Sequence, residues 1–201
     1  MDVRDTRRER SDTERHTRDG IVDAALTLLS EVGLPDLSMR RLAGALGVQP
    51  SALYWHFDNK QSLLAAVADR IVAAARPVAR ASSGADEVAT VALSLREALL
   101  AHRDGAEVVL STHALGLGSD AAHQRLVTAL SPTPDARTRT AATVLLQFIF
   151  GHASLVQQRI QAARYGAYAG DEAEVAAETA ADFTAGIRMI LSGLGQERTS
   201  S

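Results

Sequence analysis

The 201-residue chain has no cysteine, a single lysine (Lys60) and only 4% aromatic residues. Without cysteine there can be no disulfide framework and no thiolate-held zinc or iron–sulfur centre. No apolar run approaches the ~20 residues that a membrane-spanning helix needs. The opening stretch, MDVRDTRRERSDTERHTRD, lacks an apolar core and does not read as a secretory signal. These absences predict a soluble, cytoplasmic protein with no membrane partner. The net charge of −3, from 21 basic and 24 acidic residues, argues against a simple basic nucleic-acid binder. That total hides a local excess. Between residues 37 and 60, Arg40, Arg41 and Lys60 stand against Asp58 only.

What is abundant is helix-forming. Alanine occurs 37 times and hydrophobic residues make up 46% of the chain, with no alternating strand pattern and no internal repeat. The chain is expected to be all-α. Residues 1–14 read as a polar arm, with Ser11-Asp12-Thr13-Glu14 a candidate capping box. Ile21, Ala24, Ala25, Leu28, Leu29 and Val32 then form one helical stripe that stops at Gly33. Ser38 suits the N-cap of a short helix with Leu42, Ala45 and Leu46 on its buried side, and Gly47 suits its C-terminal stop. Pro50 fits the first turn of another short helix, Ser51–His56. Asp58, with Gln61 three residues on, reads as the cap of a helix carrying Leu63, Leu64, Val67 and Ile71 and closed by Pro77. Beyond the small-residue linker Ala81–Ala85, helices are expected near 86–102, 105–115, 120–130, 137–165 and 172–193.

Two short helices joined by the tight Gly47-Val48-Gln49-Pro50 turn have the layout of a helix-turn-helix, whose second helix enters the DNA major groove. Gln49, Ser51 and Tyr54 suit base edges and phosphates. Leu53, with Trp55 or Phe57, suits anchoring, and His56 and Lys60 suit phosphate. From spacing alone, a plain helical hairpin with the Tyr-Trp-His-Phe cluster as core fits equally well.

Beyond spacing, Ile21–Leu64 (IVDAALTLLSEVGLPDLSMRRLAGALGVQPSALYWHFDNKQSLL) resembles the DNA-binding domain of the tetracycline-repressor (TetR) family of bacterial transcriptional regulators. The run Leu53-Tyr54-Trp55-His56-Phe57 followed by Asn59-Lys60 is its most specific part. Farther on, ALLAHRDGA at Ala98–Ala106 and Gly151-His152 resemble the regulatory domain of tetracycline-responsive members. The resemblance implies an N-terminal three-helix DNA-binding domain (15–60), a connecting helix (61–77), a C-terminal helical ligand-binding and dimerisation domain (78–195) and a short tail (196–201). It also implies a homodimer through the helices near 137–165 and 172–193, an operator of double-stranded DNA, and release by a small-molecule effector. Its DNA contacts carry over to Arg40, Gln49, Pro50, Ser51, Ala52, Tyr54, His56 and Lys60. Met39 and Ala52 replace threonines of the tetracycline-responsive members, which alters the expected base preference.

The same resemblance argues against the drug. Those members hold drug-borne magnesium with a histidine and a carboxylate, and the matching positions here are Val109 and Ile160, neither of which can ligate a hard cation. Further drug contacts fall on Arg76, Val91 and His113. The expected pocket is lined by Val91, Leu95, Val109, Thr112, His113, Leu117, Phe148, His152 and Leu155, and suits a small, largely apolar molecule. For His152 a satisfied core histidine is the competing reading. Asp171, Glu174, Glu178 and Asp182 recur at helical spacing and read as a solvated face rather than a metal site. With no HExxH pairing and no nucleophile–base–orienter set, no cofactor, metal or catalytic residue is expected. A helix-bundle carrier or enzyme without DNA binding is the alternative.

Overall fold

In the computed structural model, residues 17–77, 85–167 and 172–196 are described, and among them there are nine α-helices and no strand. The helices are α1 (Arg18–Val32), α2 (Met39–Leu46), α3 (Pro50–Tyr54), α4 (Lys60–Ala73), α5 (Ala85–Leu100), α6 (Gly105–Ala114), α7 (Ala121–Leu130), α8 (Ala136–Arg164) and α9 (Glu172–Gln196). The arm with Ser11–Glu14, linker residues 81–84 and Asp171 lie outside the described residues.

Helix boundaries follow local chemistry. Thr17 caps α1, its hydroxyl accepting the Gly20 N–H at 3.1 Å, and Gly33 ends the helix at φ 80°. Ser38 caps α2 through the Arg41 N–H, and Gly47 closes it in the left-handed conformation that costs glycine least. Pro50 occupies the first turn of α3 as expected, but α3 ends at Tyr54 and not at His56. The N–H groups of both His56 and Phe57 turn back onto the Leu53 carbonyl, which tightens the chain out of the helix. The cap of α4 is Asn59 rather than Asp58. Its Oδ1 accepts the Ser62 N–H at 2.9 Å while the Ser62 hydroxyl accepts the Asn59 N–H at 3.2 Å, the reciprocal pattern of a capping box.

The chain divides into two compact units. One takes the described residues through Ile71 and returns for His102–Gly118; the other takes Val72–Ala101 and the described residues from Ser119 on. In the first unit, Ile21, Leu29, Leu37, Leu42, Leu53, Phe57 and Leu63 are all but fully buried. Each such side chain contributes about 1.5–3 kcal/mol through removal from water. Ala43 rather than Ala45 completes the buried side of α2; Ala45 is exposed because the face turned to α1 and α3 runs through Met39, Leu42 and Ala43. Arg70 of α4 forms ion pairs with Asp19 (2.8 Å) and Asp23 of α1.

The second unit is a bundle in which α5, α8 and α9 pack mutually and α7 packs on α5 and α8. Among the described residues, α8 alone is long and apolar enough to cross a membrane. Half of its apolar window is buried in this fold, as in a core helix. Its first turn is fixed by Asp135, whose carboxylate accepts the Thr138 N–H and hydroxyl, both at 2.7 Å. Those bonds hold the Asp135 carboxyl below its usual range.

Candidate nucleic-acid interface and effector cluster

The first unit presents a short helix on a buried base. Leu53 and Phe57, 1% and 2% exposed, hold α3 and the turn after it in the core. Trp55 does not share that work. At 90% exposure it stands in solvent, one position away from the buried face. The guanidinium of Arg18 lies 4.6 Å from the centre of the Phe57 ring, a cation–π contact that ties the start of α1 to the anchor of the turn.

Around this base the sequence-predicted contact residues turn outward. Arg40 is exposed in the first turn of α2; Gln49, Ser51, Tyr54 and His56 are exposed along α3 and its turn; Pro50 and Ala52 are half-buried. Gln49 sits at the N-cap of α3 and its side chain makes no capping bond there. Lys60 is half-buried, with Nζ 3.5 Å from the Leu34 carbonyl. Polar donors thus lie on one short, exposed helix and its flanking turns. A helix so presented matches the width of a major groove, about 12 Å.

The nine pocket residues expected from sequence do not behave alike. Val91, Leu95, Val109 and Thr112 are buried, Phe148 and His152 half-buried, and His113, Leu117 and Leu155 exposed. Val109, Thr112, His113 and Leu117 belong to the first unit, the other five to the second. Thr112 offers little to a ligand, because its hydroxyl already donates to the Val108 carbonyl at 2.8 Å in its own helix. Val91 helps to line a cavity of about 500 Å³ in the second unit, with Pro77, Glu87, Gln124, Arg125 and Thr128. Arg125 there reaches the end of α4, donating to the carbonyls of Val72, Ala75 and Arg76 at 3.3, 3.0 and 2.5 Å.

Phe148 and His152 do come together, with four residues that the sequence left unremarked, Phe183, Gly186, Arg96 and Thr179. The Phe148 and Phe183 rings stack at 5.5 Å with planes 19° apart, and His152 meets Phe183 edge-on at 4.9 Å. Gly186 supplies the space for Phe148, since a Cβ there would overlap the ring. The Arg96 guanidinium lies 5.5 Å from the Phe183 centre, and its Nη2 donates to the Thr179 hydroxyl at 3.2 Å. Arg96 is 7% exposed, and its Nε has no hydrogen-bond partner. The same is true of His152 Nδ1. Burial, and then the Arg96 charge, push the His152 imidazole below its usual value, while a hydrogen bond to the Thr179 backbone and the Asp182 carboxylate oppose the shift. Burial also lowers Arg96. Gln157 is buried in the same bundle and donates to the Leu99 carbonyl at 3.2 Å.

Glu174, Glu178 and Asp182 are exposed, and no group of three ligating side chains that could hold a metal occurs among the described residues.

Two family models match this architecture. Residues 21–67 match the model for bacterial regulatory proteins of the tetR family, and residues 81–183 match that for the tetracyclin repressor-like C-terminal domain. The chain belongs to the TetR family. Its members are regulatory proteins and not enzymes. As a TetR-family protein it is 42% identical over 101 residues to the class D tetracycline repressor protein of Escherichia coli, a match covering 49% of this chain and 46% of that one. The chain thus spans about half the length of the curated relatives it matches. Among solved structures it is similar to BioQ of Mycobacterium smegmatis, with 34% identity, a TM-score of 0.77 and coverage of 89% of this chain and 97% of that one. A structure of BioQ with its double-stranded DNA operator has 32% identity, a TM-score of 0.70 and the same coverage. The helix-turn-helix reading of α2 and α3 therefore stands over the plain helical hairpin.

Proposed function

We propose that this TetR-family protein is a transcriptional repressor that binds a near-palindromic operator as a homodimer and leaves it when a small molecule binds the C-terminal helices. One observation carries the reading. Gln49, Ser51, Tyr54 and His56 are exposed on a short helix whose Leu53 and Phe57 are buried, the division of labour a recognition helix needs. Arg40 supplies a donor for a guanine or a phosphate, and Pro50 and Ala52 let the backbone approach the groove. Lys60 adds phosphate attraction. The BioQ–operator complex supports the DNA partner by likeness.

Dimerisation through α8 and α9 fits the apolar residues these helices leave exposed, Val144 (46%), Leu155 (48%) and Met189 (74%). Two copies then set recognition helices about 34–36 Å apart, one DNA turn. Because so few cations face the DNA, groove fit and pairing of two half-sites carry much of the affinity. The effector has an apolar body, suited by Val91, Leu95, Phe148 and their neighbours, and is not magnesium–tetracycline, since Val109 and Ile160 offer no metal ligand. Such a regulator works in the cytoplasm.

The test is a gel shift of the full chain on the DNA upstream of its own gene at moderate salt. A specific band supports the reading, and its absence overturns it.

A further inference from the structure

Arg96 is a fixed cation placed where a protein rarely leaves one unmatched. It is buried, it is bonded through Nη2 to a neutral hydroxyl, and Nε meets nothing. Among the described residues no carboxylate forms an ion pair with it. The acid whose field reaches it, Glu97, is exposed and already pairs with Arg76 at 3.2 Å. Guanidinium does not deprotonate in proteins, so this cation cannot avoid its desolvation cost by becoming neutral. Beside it, on the edge of the same Phe183 ring, His152 has its Nδ1 buried without a hydrogen-bond partner. Two unmatched polar nitrogens, one of them on a permanent cation, share a wall formed by the stacked rings of Phe148 and Phe183.

We infer that this cluster is the anchor for a carboxylate-bearing effector, a monoanionic acid with an aromatic or aliphatic body, its carboxylate on Arg96 and its second oxygen on His152. The inference rests on the reading of the C-terminal helices as the effector-binding part, and it narrows that reading from an apolar molecule to an apolar acid. The charge count sets the class. One permanent cation matches one negative charge, and the facing Phe148 and Phe183 rings offer no donor to the second charge of a phosphate. The remaining charged groups that act on His152, Asp182 and Arg159, are of opposite sign to each other. The acid arrives ionised, and the bound state pairs one guanidinium with one carboxylate, the neutral His152 donating through Nδ1 to its second oxygen. His152 is half-buried, so the cluster keeps a side toward solvent.

Calorimetric titration of the full-length protein with phenylacetate and hexanoate, each against its neutral amide, tests the site. Expected is at least tenfold tighter binding of an acid than of its amide at pH 7.5. Arg96→Met removes the acid's advantage, Arg96→Lys keeps part of it, and His152→Leu weakens acid binding several-fold. Should Arg96→Met not fold, Thr179→Val, which frees the guanidinium from its anchor, is expected to weaken acid binding several-fold. Equal binding of acids and amides, binding of neither acid, tighter binding of inorganic phosphate, or acid binding untouched by every one of these variants overturns the inference. Gel shifts on operator DNA run in parallel separate the two failures. Acid binding lost with Arg96 in a protein that holds no operator upholds the site and refutes the repressor reading.

Discussion

The Oδ2 atom of Asp104 accepts the backbone N–H of Leu34 at 2.8 Å, joining the turn before α6 to the turn after α1 across 70 positions of sequence. Neighbouring Arg103 donates to the Glu31 carbonyl at 3.1 Å, one of the carbonyls that the C-terminus of α1 leaves without an intrahelical partner. Asp104 holds a left-handed conformation, φ 56°, to do this, and Gly33 makes room: a Cβ there would lie 2.9 Å from Oδ2.

Replacing Asp104 with alanine should therefore cost about 1–3 kcal/mol, the loss of a half-buried hydrogen bond to a charged acceptor. Asp104→Asn, which keeps an acceptor and tolerates the left-handed region, should cost less. Gly33→Ala should cost more than Asp104→Asn, since it adds backbone strain to the collision. Urea unfolding of the four proteins gives the order. Equal stabilities would mean that the Leu34 bond contributes nothing.

The anchor and the exposed tryptophan of the recognition turn make a second comparison. Phe57→Ala should cost about 3–5 kcal/mol, as for other fully buried aromatic residues. Trp55→Ala should stay within about 0.5 kcal/mol, because a side chain at 90% exposure has little packing to lose. The two differ by one step of the same Trp-His-Phe run, so thermal melts of both variants test whether the turn is read correctly.

This pair also shows what the sequence made legible. Ser38, Gly47 and Pro50 announce their positions because capping and turn chemistry are local, settled by a residue and its next three neighbours. Burial is not local. Trp55 and Phe57 are both large aromatics two residues apart, and only the packing of α1 and α2 decides which faces inward. Ala43 and Ala45 were confused for the same reason. The exposed polar residues around α3 stand together in the sequence, whereas of the ring cluster in the second unit only His152 and Phe148 could be singled out there. Arg96 reads as one more charge in a helix, and its partner Thr179 lies 83 residues away. Nothing periodic links them.

On DNA, Lys60→Ala should weaken binding about evenly across operator sequences and lower the slope of log affinity against log salt by about one. Arg40→Ala should behave differently if the side chain reads a guanine, costing about 1–3 kcal/mol of discrimination at one base position. Fluorescence anisotropy at several salt concentrations, on the operator and on single-base variants, separates the two. An unchanged slope for Lys60→Ala removes it from the phosphate contacts.

Arg125 fastens the last turn of α4 and the residues just after it to α7, three acceptors held by one guanidinium. Arg125→Met keeps the aliphatic stem and loses the fork, so the cost should be about 1.5–3 kcal/mol, as for hydrogen bonds from a charged donor. Arg125→Lys should recover little of it, because a single ammonium cannot span three carbonyls as the planar group does. Denaturant midpoints for the two variants check this; full recovery by lysine would show that charge, not the fork, matters.

The imidazole of His152 gives the fold a dependence on pH whose sign can be worked out. Burial and the Arg96 charge depress its pKa in the folded state, while in the unfolded chain it titrates at its ordinary value, about 6.5. The unfolded state therefore binds more protons between these two values, and stability rises with pH through that window. The contribution is fully present above about pH 6.5 and is lost as the pH falls through the folded value. Urea melts at pH 7.5 and 5.5 should show the wild type losing stability on acidification, and His152→Gln, with no proton to take up at this position, should lose less. Asp182 opposes the depression, so Asp182→Asn should steepen the wild-type loss. A wild type and a His152→Gln protein with the same pH slope would show that this imidazole stays at its ordinary value in the fold.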